Sequence, residues 1–381
     1  MIRSSVFALT LLASPALAQD LAPLPAQAPD VAWPTAAWPR ADIPADISEL
    51  IDPVFATSVT EGLGETRALV IIQGGELILE RYRDGITPDT RHVSWSMAKS
   101  VTHALVGRAV RLGLIRSADD PMPGAFSADD PRRRITWRQW LQMVDGLDYG
   151  EYGVEGLDND VIQMMYGPGR FDVIRHARRE FEPRHAPGEV WNYSTAGYHL
   201  VARALQSVLP GTCAVEGEDP RTCRADPQVT SDWLDAEFFG PLGMDAVEEY
   251  DHAGTLLGGS LVFASARDFA KFGLLYLRDG VWEGERFLPE GWVDFARTNP
   301  AATEDNGYGA GFWLTPEAPS NPQSRFKPPY DAFHAGGHEG QTIWIVPSRD
   351  LVVVRLGLMP NSPDTWNGLF ALNQDIVAAL D

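Results

Sequence analysis

Ser96 and Lys99 stand three residues apart, and this spacing has the clearest potential for chemistry in the sequence. On a helix, residues i and i+3 share one face, so the lysine amine can reach the serine hydroxyl. A serine that begins a helix also has a backbone N–H without a partner in the helix, which can bind an oxyanion. A lysine buried there can lose its proton near neutral pH. The spacing therefore indicates a nucleophilic serine with a lysine base.

Lysine is scarce in this chain of 381 residues. The 31 basic residues include only Lys99, Lys271 and Lys327, against 52 acidic residues, and the net charge is −21. Such acidity argues against a nucleic-acid partner or an anionic membrane, because phosphate contacts need clustered cations. By spacing alone, the pair could be a serine beside a solvated lysine on an amphipathic helix. Its place at a predicted strand-to-helix transition, on an apolar helix face, favours the catalytic interpretation.

The elements that must position this pair follow from hydrophobic periodicity. Residues 67–83 contain two β-rich runs around a Gly-Gly pair, which predicts a hairpin, and a helix is predicted from Ser96 to about Leu112. Helical signals dominate the next 140 residues, and strands with a final helix return after about residue 340. This order predicts a helical domain inserted into a sheet domain, with a cleft between them for the active site. The predicted limits are 46–114 and 255–381 for the sheet domain and 115–254 for the helical domain.

The N-terminal residues have the order typical of a secretory signal peptide: Arg3, a short apolar run, and an Ala-Leu-Ala cleavage site that ends at Ala18. We therefore expect removal of residues 1–18 on export to the periplasm, followed by a Pro-rich leader at 19–45. The residue directly after the cleavage site is Gln19 and not a cysteine, and no later apolar stretch is long enough to span a bilayer, so we expect no membrane anchor. In an oxidising compartment we expect a local disulfide or, alternatively, two free thiols at Cys213 and Cys223.

Several ordered motifs resemble the serine β-lactamase and penicillin-binding-protein-like family, of class C type. Besides Ser96-Met97-Ala98-Lys99, the resemblance rests on segments 135–147, 187–194, 241–244, 258–260 and 265–273. It implies an α/β (α+β) fold in which an antiparallel sheet is flanked by N- and C-terminal helices and carries an inserted all-helical domain. It also implies acyl transfer through a covalent serine ester, without a cofactor or a metal.

The resemblance assigns roles to three residues. Ser96 would be the nucleophile, Lys99 would help to take its proton, and Tyr193 would be a second general base and acid that relays the proton to the leaving group. Read alone, Tyr193 would be a core tyrosine, but the surrounding PGEVWNYS favours the catalytic role. Some aromatic side chains near the motifs are candidates for the wall of the substrate cleft: Trp191, Trp313 and His334.

Two departures from the family pattern bear on the substrate. The triplet that begins at Tyr193 ends in Thr195, where class C enzymes carry Asn. The third motif, Lys-Thr-Gly, is replaced by FHAGGHEGQ at 333–341. Because the Lys-Thr pair normally engages the carboxylate of β-lactams and of terminal D-alanine, its absence argues against both activities.

The Gly-His-x-Gly-Gln form of this segment resembles the branch that contains 6-aminohexanoate-oligomer hydrolases and related esterases. In that branch, His338 and Gly340 would form the third motif, and the backbone N–H near His338 would be a second oxyanion donor. A count-exact alignment instead places His334 nearer the position of the lost lysine. A metal bound by the two histidines is improbable, because the glycines between them disfavour a helix and no third ligand is evident.

The sequence thus predicts an exported serine hydrolase that cleaves a small amide or ester through an acyl-enzyme on Ser96. One alternative is a β-lactamase or D-alanyl-D-alanine carboxypeptidase. Another, from a different class, is a catalytically inactive homologue that acts as a binding module, and the complete set of Ser96, Lys99 and Tyr193 argues against it.

Overall fold

A six-stranded antiparallel sheet forms the centre of the protein. The computed structural model describes residues 21–380 except 44, 57, 59–61, 125, 128, 152, 155, 212–224, 301–306 and 316–330. Numbered in chain order, the strands lie side by side as β2 (Glu76–Tyr82), β1 (Glu65–Gln73), β11 (Leu351–Leu358), β10 (Gln341–Val346), β9 (Phe333–Gly337) and β8 (Trp313–Leu314). The chain therefore builds its sheet from two distant segments, and the predicted hairpin at 67–83 is confirmed.

The protein has two hydrophobic cores, one on each face of the six-stranded sheet, because side chains alternate between the faces along each strand. On β1, Val70 and Ile72 face an inner core, whereas Leu69 and Ile71 face an outer core. Successive side chains of a strand point to opposite faces, and all four of these are buried. A sheet buried on both faces requires helices on both sides.

Helices cover each face of the sheet. The inner face packs against α2 (Met97–Arg111) and α8 (Ala266–Leu277), whereas α1 (Ala45–Ala56) and α10 (Pro363–Ala379) cover the outer face. The N-terminal and C-terminal helices thus flank one side of the sheet, which confirms the predicted fold class.

The middle of the chain is mainly helical. It contains α3 (Trp137–Leu141), α4 (Asp160–Met165), α5 (Val173–Glu180), α6 (Thr195–Val208) and α7 (Pro227–Leu234). The predicted cap at Thr136 forms a capping box with Gln139. Three short strands, β3 (His92–Val93), β4 (Val247–Glu248) and β5 (Val262–Ala264), make a second sheet beside α2. Beyond α8 lie the paired strands β6 (Val281–Trp282) and β7 (Glu285–Arg286) and the helix α9 (Trp292–Ala296).

The described part of the Pro-rich leader lies against the sheet domain. Leu77 of β2 donates its N–H to the carbonyl of Pro39, and the indole of Trp282 donates to Thr35. The leader thus covers part of an edge strand, where backbone groups would otherwise be unpaired. Within the described ranges, no helix has the length and apolarity needed to cross a membrane.

Candidate active site

Ser96 lies at the start of α2, directly after the short strand β3. The preceding residues fix its position: Ser94 pairs with Val262 of β5 through its backbone N–H (2.8 Å) and its hydroxyl (3.0 Å). Trp95 adopts φ +46°, a left-handed conformation that a bulky residue rarely takes. Such strain persists only where surrounding contacts hold it, and Trp95 directly precedes the nucleophile candidate Ser96.

Lys99 points its amine at Ser96. The Nζ atom donates to Ser96 Oγ at 2.9 Å, to Thr195 Oγ1 at 2.8 Å and to the Gly259 carbonyl at 2.8 Å. The residue is 1% exposed. This burial lowers the pKa of Lys99 to about 8, and the negative charge of Glu151 partly opposes the shift. The amine is thus held by three acceptors and is close to deprotonation at neutral pH.

Thr195 connects the amine to a carboxylate. Its hydroxyl accepts from Lys99 and donates to Glu151 Oε1 at 3.0 Å, while its backbone N–H donates to Glu151 Oε2 at 3.1 Å. Thr195 is the first residue of α6, where backbone N–H groups lack helical partners, so Glu151 also satisfies the helix terminus. The position that carries Asn in class C enzymes therefore belongs to the polar network around the amine.

His199 supports Gly259, whose carbonyl is one of the three acceptors of the Lys99 amine. One turn along α6 from Thr195, its Nδ1 accepts from the N–H of Gly259 at 3.3 Å. The carbonyl of the same glycine accepts from Lys99. Burial and the nearby charge of Lys99 lower the pKa of His199 to about 3, so the ring is neutral at neutral pH and keeps its lone pair for Gly259.

Tyr193 forms one side of the site within a group of aromatic rings. Its ring centroid lies 4.8 Å from Lys99 Nζ. The ring stacks on Trp313 at 5.5 Å and 18°, and it meets Tyr308 edge-on at 5.8 Å. Trp191 contacts the same group, with its ring centroid 6.4 Å from that of Tyr193. The structure therefore brings together Ser96, Lys99, Tyr193, Trp191 and Trp313.

The C-terminal end of β9 lies beside Ser96, and the residue at this end is the glycine Gly337. A Cβ atom added to Gly337 would lie 2.3 Å from the Ser94 carbonyl and 3.3 Å from the Ser96 nitrogen. Only glycine permits this approach of the third-motif backbone to the start of α2. The next residue, His338, is exposed, and its ring meets Trp95 edge-on at 5.7 Å.

A buried arginine, Arg355, holds the turn after Gly337 through hydrogen bonds to the backbone. Arg355 of β11 donates through Nη1 to the carbonyls of Glu339 (2.9 Å) and Gly340 (3.2 Å). Its Nη2 donates to the carbonyl of Leu63 at 3.0 Å. Gly340 has φ +76° and is buried on this guanidinium. Gly340 thus supports the shape of the turn, whereas the backbone at Gly337 and His338 lies beside Ser96.

His334 lies apart from the cleft. Its ring stacks on Trp344 at 4.6 Å and meets Phe370 of α10 edge-on at 5.5 Å. Both partners belong to the outer core, on the sheet face opposite α2. We therefore correct the expectation that His334 lines the substrate cleft: the alternation of side chains along β9 directs it to the other face. The other pair predicted from sequence, Cys213 and Cys223, lies outside the described residues.

Some residues of the site carry no role that their local sequence predicts: Thr195, Glu151, Gly259, His199 and Tyr308. Thr195 could have been found from its place in the Tyr-x-Asn pattern, since a hydroxyl can replace an amide as an acceptor. Glu151 and His199 had no local signal, because each acts through a partner distant in sequence. No group of three or more His, Cys, Asp or Glu side chains in the described ranges is arranged to hold a metal ion.

Chemically, this arrangement can activate a hydroxyl. A buried amine within hydrogen-bond distance of a serine Oγ can accept its proton. The backbone N–H of Ser96, at the positive end of α2, can stabilise negative charge on an attacked carbonyl oxygen.

Known proteins are similar to this chain in sequence and in fold. The 6-aminohexanoate-dimer hydrolase of Paenarthrobacter ureafaciens is 28% identical over 345 residues, which are 83% of this chain and 79% of that protein. A Bacillus anthracis structure provisionally described as a 6-aminohexanoate-dimer hydrolase matches with a TM-score of 0.67 at 21% identity, covering 90% of this chain and 87% of its own. EstCE1, a hydrolase with promiscuous acyltransferase activity, matches with a TM-score of 0.60 at 16% identity, covering 86% of this chain and 98% of its own.

A family model described as Beta-lactamase matches residues 55–357. This range includes Ser96 and Lys99 at the start of α2, Tyr193 before α6, and the turn after β9. Because the match extends over most of the chain and includes each part of the site, the protein belongs to the Beta-lactamase family.

Proposed function

We propose that this protein is a serine hydrolase that cleaves a small amide or ester through an acyl-enzyme on Ser96. Lys99 and Tyr193 are its proton-transfer groups. The observation that carries the proposal is the 2.9 Å contact between the buried amine of Lys99 and the hydroxyl of Ser96. With a pKa of about 8, roughly one-tenth of this amine is neutral at pH 7 and able to accept a proton.

In the proposed reaction, neutral Lys99 takes the proton of Ser96 Oγ while the oxygen attacks the substrate carbonyl carbon. The N–H of Ser96 and a backbone N–H of the adjacent Gly337–His338 segment stabilise the oxyanion. Tyr193 transfers a proton to the leaving nitrogen or oxygen as its bond to the carbonyl carbon breaks. The amine or alcohol departs at this step, and the proton held by Lys99 restores Tyr193. Water then attacks the Ser96 ester, and one water molecule is consumed. This releases a carboxylic acid and returns a proton to Ser96 Oγ.

The segment 333–341, which replaces the family's Lys-Thr-Gly motif, contains no lysine. This supports a substrate that lacks the carboxylate that β-lactams carry. His334 and Ala335 stand near the position of the family's Lys-Thr pair, and His334 packs in the outer core. No lysine amine is therefore available from this strand to bind a carboxylate. The relative named 6-aminohexanoate-dimer hydrolase supports a small amide as substrate, because a dimer of an amino acid is joined by an amide bond. An ester carbonyl can be attacked by the same serine hydroxyl.

Covalent labelling tests the acyl-enzyme. The wild-type protein is treated with a fluorophosphonate and its intact mass is measured, with Ser96→Ala as the matched control. We expect one adduct on the wild type and none on the variant. An equal adduct on both proteins, or none on the wild type, would refute a nucleophilic Ser96.

A substrate panel tests the class of substrate. Catalytic efficiencies are compared for p-nitrophenyl esters, short amide oligomers, D-alanyl peptides and nitrocefin. We expect turnover of esters or amide oligomers to exceed that of nitrocefin and D-alanyl peptides by at least about a hundredfold, since the carboxylate-binding pair is missing. A preference for nitrocefin would replace the proposal by a β-lactamase.

We also propose that the protein is exported to the periplasm as a small-molecule hydrolase and that Cys213 and Cys223 form a disulfide. The signal-peptide pattern before residue 19 supports export, and the oxidising compartment supports the disulfide. N-terminal sequencing of the protein from the periplasmic fraction should begin at Gln19. Thiol alkylation without reduction should leave both cysteines unmodified, whereas two alkylated thiols would exclude the disulfide.

A further inference from the structure

A cluster of arginines lines an open cavity in the helical part of the protein. The cavity has a volume of about 360 Å³, and the residues around it are Ser127, Asp130, Arg132, Asp172, Arg175, Arg178 and Arg179. Four arginines and two aspartates give this surface a surplus of two positive charges. In a chain whose net charge is −21, such a local surplus stands out.

Most arginines of the described chain are paired with carboxylates, but three in this cluster are not. Among the described residues, ion pairs involve at least fourteen arginines, for instance Arg108 with Glu237 and Arg297 with Asp294. Among the residues described, Arg175, Arg178 and Arg179 form none. Because acidic residues are abundant in this chain, the absence of a carboxylate partner here leaves their guanidinium groups available to a ligand.

The helix dipole explains only part of this arrangement. Arg178 and Arg179 lie in the last turn of α5, where positive charge is stabilised by the negative end of the helix. Arg175 lies in the first turn, where the dipole disfavours a cation. At spacing i, i+3 and i+4, the three residues share one face of the helix. A bound anion would offset both their mutual repulsion and the cost at Arg175.

The base of the cavity is rigidly built. Arg132 is buried, donates to both carboxylate oxygens of Asp130, and donates through Nη1 to the carbonyls of Arg178 (3.2 Å) and Phe181 (2.8 Å). Asp172 caps α5 by accepting from the backbone N–H of Arg175 at 2.8 Å. Asp130 therefore binds Arg132, and Asp172 binds the backbone at the start of α5. Arg132 in turn fixes the end of α5, the helix that carries the three other arginines.

We infer that this cavity binds a small multivalent oxyanion, of the phosphate type. Guanidinium groups match phosphate oxygens in bidentate geometry, and the surplus of two charges complements a dianionic group. At physiological ionic strength the screening length is about 8 Å, so the remote acidic surface repels such an anion only weakly. The ligand is a phosphate group, carried either by a soluble molecule or by a lipid headgroup.

Isothermal titration calorimetry with inorganic pyrophosphate tests this site. We expect saturable binding at one site in 0.15 M NaCl. Binding should weaken at least about tenfold in Arg175→Gln/Arg179→Gln, since two charge-assisted contacts are lost. The control Arg111→Gln/Arg349→Gln removes the same charge from exposed arginines outside the cavity and should bind within about twofold of the wild type. Ser96→Ala should bind normally, because the site is independent of the proposed hydrolase chemistry.

Co-sedimentation with phosphatidylglycerol vesicles, compared with phosphatidylcholine vesicles, identifies the source of the phosphate. Vesicle binding that is lost in the double variant assigns the site to a lipid headgroup, and pyrophosphate binding without vesicle binding assigns it to a soluble ligand. Arg175→Lys, which keeps the charge but loses the bidentate fork, should bind with intermediate affinity. The inference is overturned if the folded wild type binds neither ligand, or if the double variant binds as well as its charge-matched control.

Discussion

The hydroxyl of Thr195 lies 2.8 Å from the amine of Lys99 and accepts a hydrogen bond from it. The same hydroxyl donates to Glu151, so a single side chain joins the proposed base to a carboxylate. The Thr195 hydroxyl thus links the Lys99 amine to the Glu151 carboxylate, and its fixed orientation holds the amine beside Ser96.

Removal of this hydroxyl should slow acylation. In Thr195→Val the shape is kept but the amine loses one of three acceptors, so we expect the labelling rate of Ser96 to fall roughly 10- to 100-fold. Stopped-flow or quenched labelling with a fluorophosphonate measures the rate. Thr195→Ser keeps the hydroxyl and should react within a few-fold of the wild type. Equal rates for the valine and serine variants would exclude a role for the hydroxyl.

The acylation rate should depend on the protonation of Lys99. Because its pKa is lowered to about 8, the neutral amine becomes more abundant as the pH rises, and the rate should increase up to about pH 8 and then level off. Lys99→Arg keeps a positive charge that does not titrate in this range, and it should react at least about a hundredfold more slowly. Labelling rates between pH 6 and 9.5 measure both effects.

Glu151→Gln should shift this profile to lower pH. The negative charge of Glu151 stabilises protonated Lys99 and raises its pKa, so neutralising that charge favours the neutral amine. The apparent pKa of the labelling rate should therefore decrease, whereas Thr195→Ser should leave it unchanged. An increase of the apparent pKa in Glu151→Gln would contradict the electrostatic assignment.

His199 should act as a positioning residue through Gly259. In His199→Phe the N–H of Gly259 loses its acceptor, and the carbonyl that holds Lys99 is less firmly placed. We expect kcat to fall about tenfold with little change in KM, since the amine acts in the reaction and not in substrate binding. His199→Gln, which retains an acceptor, should recover part of the loss. A change confined to thermal stability, with kcat intact, would show that His199 is only structural.

Gly337→Ala should greatly lower the activity without unfolding the protein. The new Cβ would lie 2.3 Å from the Ser94 carbonyl, so β9 must move away from the start of α2. We expect a loss of at least about a hundredfold in kcat, because oxyanion donors act only at short distances. Gly74→Ala, in the β1–β2 turn with φ +62° and open space around it, serves as the control. It should lower the melting temperature slightly and leave kcat unchanged.

Local sequence predicted those parts of the protein that depend on neighbours in the chain. The periodicity after Ser96 predicted α2, which runs from Met97 to Arg111, and the cap at Thr136 forms as expected. Helical spacing alone brings Lys99 to Ser96, because three residues correspond to nearly one turn. These features follow from backbone geometry, which is the same in any fold that contains the helix.

Only the tertiary structure decided which distant residues meet. Glu151 lies 44 residues from Thr195 and His199 lies 60 residues from Gly259, so nothing in the local pattern indicates either contact. The role of His334 was decided by the register of β9 against β10, in which His334 pairs with Trp344. Because side chains alternate along a strand, a shift of one residue would have turned His334 to the inner face of the sheet, on the side of α2. The sequence by itself thus determined the helix and the approach of Lys99 to Ser96, whereas the pairing of distant strands and helices determined which side chains surround them.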